Sequence, residues 1–419
     1  MFTNPKGVAV EGNIAWMLVS TALVLFMTPG LAFFYGGMVR SKNFLAMLMQ
    51  NFFAMGLMAV LWALIGYSIA FGKFGDGGWF GGFDHLGLAK VGLTEGGLAL
   101  GIPAILFAAY QMTFAIITPA LITGSLADRL KFASYAVLIG VWLVVVYAPV
   151  AHWVFGGGWI AKMGALDFAG GAVVHINAGA AALAVLLLVG PRKGHGKEPM
   201  PPHALPWTLL GTGILWFGWF GFNAGSALAA NGVAAQALMN TMLAPAAAML
   251  GWLLIEKVKG HHVTTLGAAS GAVAGMVAIT PCAGFVAVMP AMLIGFLSGV
   301  ICYLALAIKE KAKLDDALDV LAVHLVGGLF GSVVLGLFAD ASVNEAVTHE
   351  GLFLGGGTDL LVDQIVAAAA VFAFSFVVTY LIAKVIQVTM GLRVDEETEQ
   401  IGLDRSLHAE TAYSYDARI

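Results

Sequence analysis

The sequence predicts an all-α polytopic membrane protein of eleven transmembrane helices, and three observations predict it. Of 419 residues, 60% are hydrophobic and only 11% are charged, where an ordinary soluble domain carries about 25% charge. Mean hydropathy is +0.90. Apolar runs of bilayer length recur between short charged or turn-rich connections, and a hydrocarbon core about 30 Å thick needs roughly 20 apolar residues per helix. Together these exclude a soluble enzyme, a disordered chain and a nucleic-acid binder, which needs a basic face. Gly, at 54 residues, is about twice its usual share and suits membrane helices, where small residues let backbones approach closely. The two cysteines, Cys282 and Cys302, fall in apolar stretches and suggest neither a disulfide nor a metal site.

In chain order the runs are 13–36, 44–71, 101–124, 132–152, 168–190, 206–224, 233–256, 264–282, 284–308, 319–338 and 359–388. No basic region precedes the first of them, so it is expected to be retained rather than cleaved as a signal peptide. An odd number of spans puts the termini on opposite sides. One set of loops, running from Arg40 and Lys42 through Arg129, Lys131, Arg192 and Lys193 to Lys309, Lys311 and Lys313, holds with the C-terminal stretch sixteen of the twenty Lys and Arg. Lys6, Lys73, Lys90 and Lys162 lie on the other side. Basic residues favour the cytoplasm, so the N-terminus is expected outside and the C-terminus inside. Residues 391–419 are of different material, with Asp395, Glu396, Glu397, Glu399, Asp404, Glu410 and Asp416 against three Arg, and they carry the whole net charge of −4. The expected organisation is a membrane domain over 1–390 and a cytoplasmic regulatory tail over 391–419. The membrane domain divides into halves 1–190 and 191–338, then an outer loop and eleventh helix over 339–390.

Two echoes point to an internal repeat. Asp167 to His175 reads D-x7-H with Gly179 four residues on, and Asp316 to His324 reads D-x7-H with Gly328 four residues on. Ile117-Thr118-Pro119 is matched by Ile279-Thr280-Pro281. Both echoes are five spans apart, and five is odd, so helices 1–5 and 6–10 form an inverted repeat with the functional site near the midplane. His175 and His324 lie deep in apolar helices, while the other eight His fall in loops, tails or span edges. Eight residues beyond an interfacial Asp is about 12 Å, near the centre of the bilayer. Ionisable groups at that depth point to function. Facing imidazoles could ligate a haem iron, or they could line a narrow pore, offering a donor and an acceptor to a small polar solute and relaying a proton. Tyr110 and Phe114 share a helix face at i and i+4. Phe155 precedes a triple glycine, and Phe222 and Ser226 end the sixth helix. Aromatic faces beside a hydroxyl attract a small cation.

Thr28 to Gly37, the DFAGG-x-VVH block Asp167 to His175, Gly218 to Ser226 and Val323 to Gly328 together resemble the ammonium transporter (Amt/Mep/Rh) family, in its bacterial Amt branch. The likeness runs from about residue 10 into the tail, where Gly391 to Val394, Gly402 to Asp404 and His408 to Tyr413 also resemble Amt tails. It implies a transporter rather than an enzyme, an eleven-helix subunit in a homotrimer, and no cofactor. His175 and His324 would be the twin pore histidines, and Phe114 and Phe222 the stacked gate. Tyr110, Phe155 and Ser226 would recruit ammonium, with Asp167 shaping that site electrostatically, and Thr280 would be a polar pore-lining neighbour. The family usually has Trp at the position of Phe155 and often Gly at that of Ala409. The resemblance further implies an inner (plasma) membrane location and a PII-type signal protein of the GlnK kind at the cytoplasmic face. A sensor of the same fold without appreciable flux is the alternative role.

Overall fold

The computed structural model describes residues 10–93 and 101–413. Among them the chain is helical without strands, with an isolated bridge between Leu130 and Arg393. In a hydrocarbon core no water satisfies backbone groups, so the helix, which satisfies its own, is the form such a sequence takes. The main helices are α1 Val10–Met38, α2 Ser41–Phe71, α3 Ala104–Ser125, α4 over 132–154, α5 Gly171–Val189, α6 Leu205–Ala224, α7 Gly232–Val258, α8 Thr265–Ile279, α9 Val288–Lys311, α10 Leu321–Phe338 and α11 Asp359–Thr389. Two short tail helices follow, α12 Glu396–Ile401 and α13 Leu403–His408.

Nine of the described helices are long and apolar enough to cross a bilayer, fewer than the eleven expected. The two that fall short occupy expected segments. α6 is long enough but rich in Gly, Thr and Trp, and α8 has only 15 residues. α8 sits inside the bundle, buried along nearly its whole length, where protein rather than lipid is the solvent; α6 buries one face and exposes Trp207, Leu209, Leu210 and Phe217 on the other. α1 packs most extensively on α6, and α7 on α9. Glycine permits this closeness. A β-carbon at Gly211 of α6 would fall 2.2 Å from the backbone nitrogen of Phe34, and one at Gly299 of α9 would fall 2.0 Å from the Ala248 carbonyl oxygen.

α5 and α10 both open with a wide π-type turn, Gly171–Ile176 and Leu321–Val326. Such turns are uncommon and often mark functional positions. Each carries one of the two deep histidines.

Candidate functional site

Aspartates fix the two histidine-bearing turns at their starts. Both Asp167 carboxylate oxygens accept backbone N–H groups, from Gly170 at 2.8 Å, Gly171 at 2.7 Å, Ala172 at 2.8 Å and Val173 at 3.3 Å. These are the unpaired donors at a helix start, and a carboxylate there also meets the positive end of the helix dipole. Asp316 does the same more sparingly, accepting from Leu321 N–H at 2.8 Å. The turns bring His175 and His324 together in the buried centre. Their rings stack with centroids 5.3 Å apart, and their Nδ1 atoms are 3.2 Å apart. One Nδ1 must donate and the other accept, so the neutral pair presents one Nε2 donor and one Nε2 acceptor at its two ends. His175 Nε2 is buried without a protein partner.

The pair stands in a cavity of about 10 Å³ walled by Met27, Leu31, Ile117, Leu121, Val174, Leu215, Trp219, Phe222 and Val273. A water molecule needs about 10–15 Å³ of such space, so a hydrated ion does not fit. Nor does an iron porphyrin fit between imidazoles in hydrogen-bond contact, and the haem reading ends here. Trp219 stacks on His175 at 5.5 Å, and its indole N–H donates to Thr280 Oγ1 at 2.9 Å. Thr280 is fully buried and donates to the Met276 carbonyl; it stands behind Trp219 and fixes the ring that forms the wall.

Beyond Phe222 the rings continue. Phe222 lies 6.2 Å from the His175 ring and 4.3 Å from Phe114, which in turn meets Tyr110 edge-on at 5.0 Å. Phe114 walls a second, wider cavity of about 220 Å³ with Tyr110, Phe155 and Ser226. The Ser226 hydroxyl donates to the Phe222 carbonyl at 2.8 Å, and the Tyr110 hydroxyl is within 2.9 Å of the Gly221 and Phe222 carbonyls and 3.2 Å of Ser226 Oγ. With its proton engaged, Ser226 turns lone pairs toward the vestibule, which suits an N–H donor. Asp167 opens onto a neighbouring depression that shares Phe168 and Ser226 with this one.

Sequence reasoning did not single out several lining residues. Phe107, Gln111 and Phe168 complete the vestibule wall, as does Phe74 from the loop after α2. The first three had a signal: Phe107 is three residues before Tyr110, Gln111 follows it, and Phe168 lies inside the DFAGG block. Phe74 had none, because loop aromatics carry no periodicity.

The opposite end of the molecule is ionic. Arg192 pairs with Asp315 at 2.7 Å and with Asp128 at 3.5 Å, and Asp128 also pairs with Arg40 at 2.9 Å. Burial would raise the Asp315 carboxyl, but hydrogen bonds from Arg192 and the charges of Arg129 and Arg192 bring it down to about 2. Beside it, burial and the negative field of Asp319 push Asp316 up to about 6. The tail docks on this lattice. Val394 N–H donates to the Arg129 carbonyl, Lys193 pairs with Glu396, and Asp404 accepts the N–H groups of Leu45 and Ala46 at 3.0 and 2.8 Å. The tail is partly buried, with Val394, Glu399, Leu403 and Asp404 covered.

A family model described as Ammonium Transporter Family matches residues 15–413. An ammonium transporter of Mycobacterium bovis is 50% identical over 98% of this chain and 91% of its own length. Ammonium transporter Amt1 of Archaeoglobus fulgidus is 47% identical over 96% of this chain and all of its own. Among solved structures, Candida albicans Mep2 superposes with a TM-score of 0.86 at 34% identity, covering 94% of this chain and 90% of that one.

Proposed function

The chain belongs to the ammonium transporter family, and from that premise we propose that it recruits NH4+ at the Tyr110–Phe155–Ser226 vestibule and conducts it as ammonia past His175 and His324. It is a multi-pass membrane transport protein with ammonium as substrate, and not an enzyme. The observation that carries the mechanism is the pair of imidazoles in mutual hydrogen bond inside an apolar cavity of about 10 Å³.

Moving a bare cation through hydrocarbon is costly because it loses its hydration. A cation held by aromatic faces and the Ser226 lone pairs at the mouth, giving up its proton there to vestibule water or to a separate relay, can continue as neutral NH3. It passes the Phe114–Phe222 pair and meets a donor and an acceptor at the imidazoles. Potassium has no removable proton, so this route selects against it. A proton taken up at the accepting Nε2, passage of the shared Nδ1 proton to the other ring and release of that ring's Nε2 proton together reverse which end donates, and this is the step a separate proton relay requires. Asp167 contributes by holding the π-type turn that aims His175, and Thr280 by holding Trp219.

In the bilayer, we place the vestibule end outside and the tail inside, with α6 and α8 counted as crossings for eleven in all. The halves 1–190 and 191–338 form an inverted repeat, followed by 339–390 and the tail 391–419. The location is the inner (plasma) membrane, the assembly a homotrimer, and a GlnK-type protein docks at the tail face. One solved neighbour is described as a sensor Amt protein, at 28% identity with a TM-score of 0.87, but transport is the better-supported role.

The test is flux into liposomes. His175→Ala with His324→Ala is expected to fold yet lose selective ammonium conduction, because the relay is gone and the enlarged cavity admits water. Undiminished, selective flux in that double variant overturns the pore assignment.

A further inference from the structure

A third histidine is built into the vestibule end. His152 sits on the last turn of α4, at a span edge as its sequence position suggested, yet its side chain is fully buried. Its Nδ1 lies 2.9 Å from the Ala70 carbonyl oxygen at the end of α2, and its Nε2 lies 3.2 Å from Asp76 Oδ1. A carbonyl and a carboxylate only accept hydrogen bonds. One imidazole satisfies both only when both nitrogens carry hydrogen, that is, as imidazolium.

The two segments joined this way carry vestibule aromatics. Asp76 lies in the loop that bears Phe74, and its Oδ1 also accepts the Gly78 N–H at 2.7 Å. The His152 backbone carbonyl accepts from Gly156 at 3.1 Å and Gly158 at 2.9 Å, closing the turn that bears Phe155. Gly75 N–H donates to the Gly156 carbonyl at 2.8 Å and stitches loop to turn. The fit is tight: a β-carbon on Gly156 would fall 2.3 Å from the Ala70 oxygen and 2.7 Å from His152 Nδ1.

We infer that His152, in its doubly protonated form and paired with Asp76, is a positioning residue that clasps the Phe74 loop to the Phe155 turn and so sets ammonium recruitment by external pH. This rests on the vestibule being the recruitment site. The clasp is complete while the imidazole holds both protons. With only one hydrogen on the ring, one of the two nitrogens faces its acceptor with a lone pair. Asp76, a third exposed, then turns to water and the loop is released. The other ionisable groups around the pair are Lys73, whose charge also falls on Asp76, Asp84 beside Lys73 at Gly82, Lys162 against Gly77, and His85, bonded to the Ala89 carbonyl and packed on Tyr67. None of them lies between His152 and its two acceptors.

The experiment measures half-saturation for NH4+, expressed as NH4+ concentration, with the full-length protein in liposomes at external pH values from about 5 to about 8. For the parent protein, half-saturation is expected to rise roughly three-fold toward the alkaline end, the scale of one hydrogen bond lost. In Asp76→Asn the side-chain amide donates to a neutral imidazole, so the clasp no longer needs the second proton and the profile flattens. His152→Gln cannot reach both acceptors and is expected to show the high-pH half-saturation at every pH, with a smaller effect on maximal rate. A purely structural residue would lower abundance and maximal rate without flattening the profile. The inference is overturned if Asp76→Asn keeps the parent's slope, or if His152→Gln keeps the parent's low-pH half-saturation. Ser226→Ala separates this from its premise. If that variant weakens half-saturation and Asp76→Asn does not flatten the profile, only the clasp fails; if Ser226→Ala changes nothing, the recruitment site lies elsewhere and the inference falls with it.

Discussion

The two ends of the molecule solve opposite problems. Among the described residues, eight of nine ion pairs gather at the tail end, and the ninth is the His152–Asp76 pair. The vestibule end offers rings, a hydroxyl and an open cavity of about 220 Å³. A cation that must be captured and then released is better met by polarisable faces, worth about 0.5–2 kcal/mol each, than by a buried carboxylate that would hold it. At the tail end the charges serve the chain itself. There, Arg192, Asp315, Asp128 and Arg40 are locked together, and the tail is bonded to the neighbouring backbone at Arg129, Leu45 and Ala46. One end is built to capture a cation and let it go, the other to hold its own chain in place.

Breaking the ionic end has the largest expected effect. Arg192→Ala takes from Asp315 its bidentate partner and leaves Asp128 to Arg40 alone among the arginines, and removing one partner of a buried pair costs up to about 3–5 kcal/mol. Thermal unfolding in detergent should fall sharply, whereas Ser226→Ala at the other end should leave it nearly unchanged. Equal, small losses at both ends would erase the contrast. A smaller effect is expected from Asp404→Ala. It removes the acceptor for two N–H groups at the start of α2, about 1–2 kcal/mol on the scale of helix capping, so amide exchange over residues 395–408 should quicken while the pore helices are unaffected. If the tail is also the docking platform for a GlnK-type protein, a chain ending at Gly391 should no longer co-purify with it, and equal binding by both chains would contradict that role. Smallest is Phe155→Trp at the vestibule. Trp is the better cation–π partner, so half-saturation for NH4+ should tighten a few-fold at most; no change would remove Phe155 from recruitment.

Much of this contrast could be read in the sequence, for definite reasons. Apolar runs gave the helices because lipid demands them, and the matched D-x7-H segments drew attention to His175 and His324 because ionisable groups so deep are rare. α8 is shorter than a lipid-facing helix because its neighbours are protein, and α6 is rich in Gly, Thr and Trp, so neither stands out by length and apolarity as the other nine do. His152 was passed over because one residue's displacement at a helix end decides between solvent and burial. The acidic tail stood out by its composition, but the backbone half of its docking, the Arg129 carbonyl and the Leu45 and Ala46 N–H groups, is made by atoms whose availability no side-chain pattern reveals. Thr280 was legible as a polar residue in an apolar helix, but its bond from Trp219 needed the fold.

The most direct measurement is the current on a solid-supported membrane carrying the reconstituted protein, given pulses of NH4+ and then of K+. Selection by a removable proton predicts uptake with NH4+ pulses, registered as current or as luminal alkalinisation, and neither signal with K+. A K+ response equal to that for NH4+ would contradict a pore that passes ammonia along His175 and His324 and excludes the bare ion.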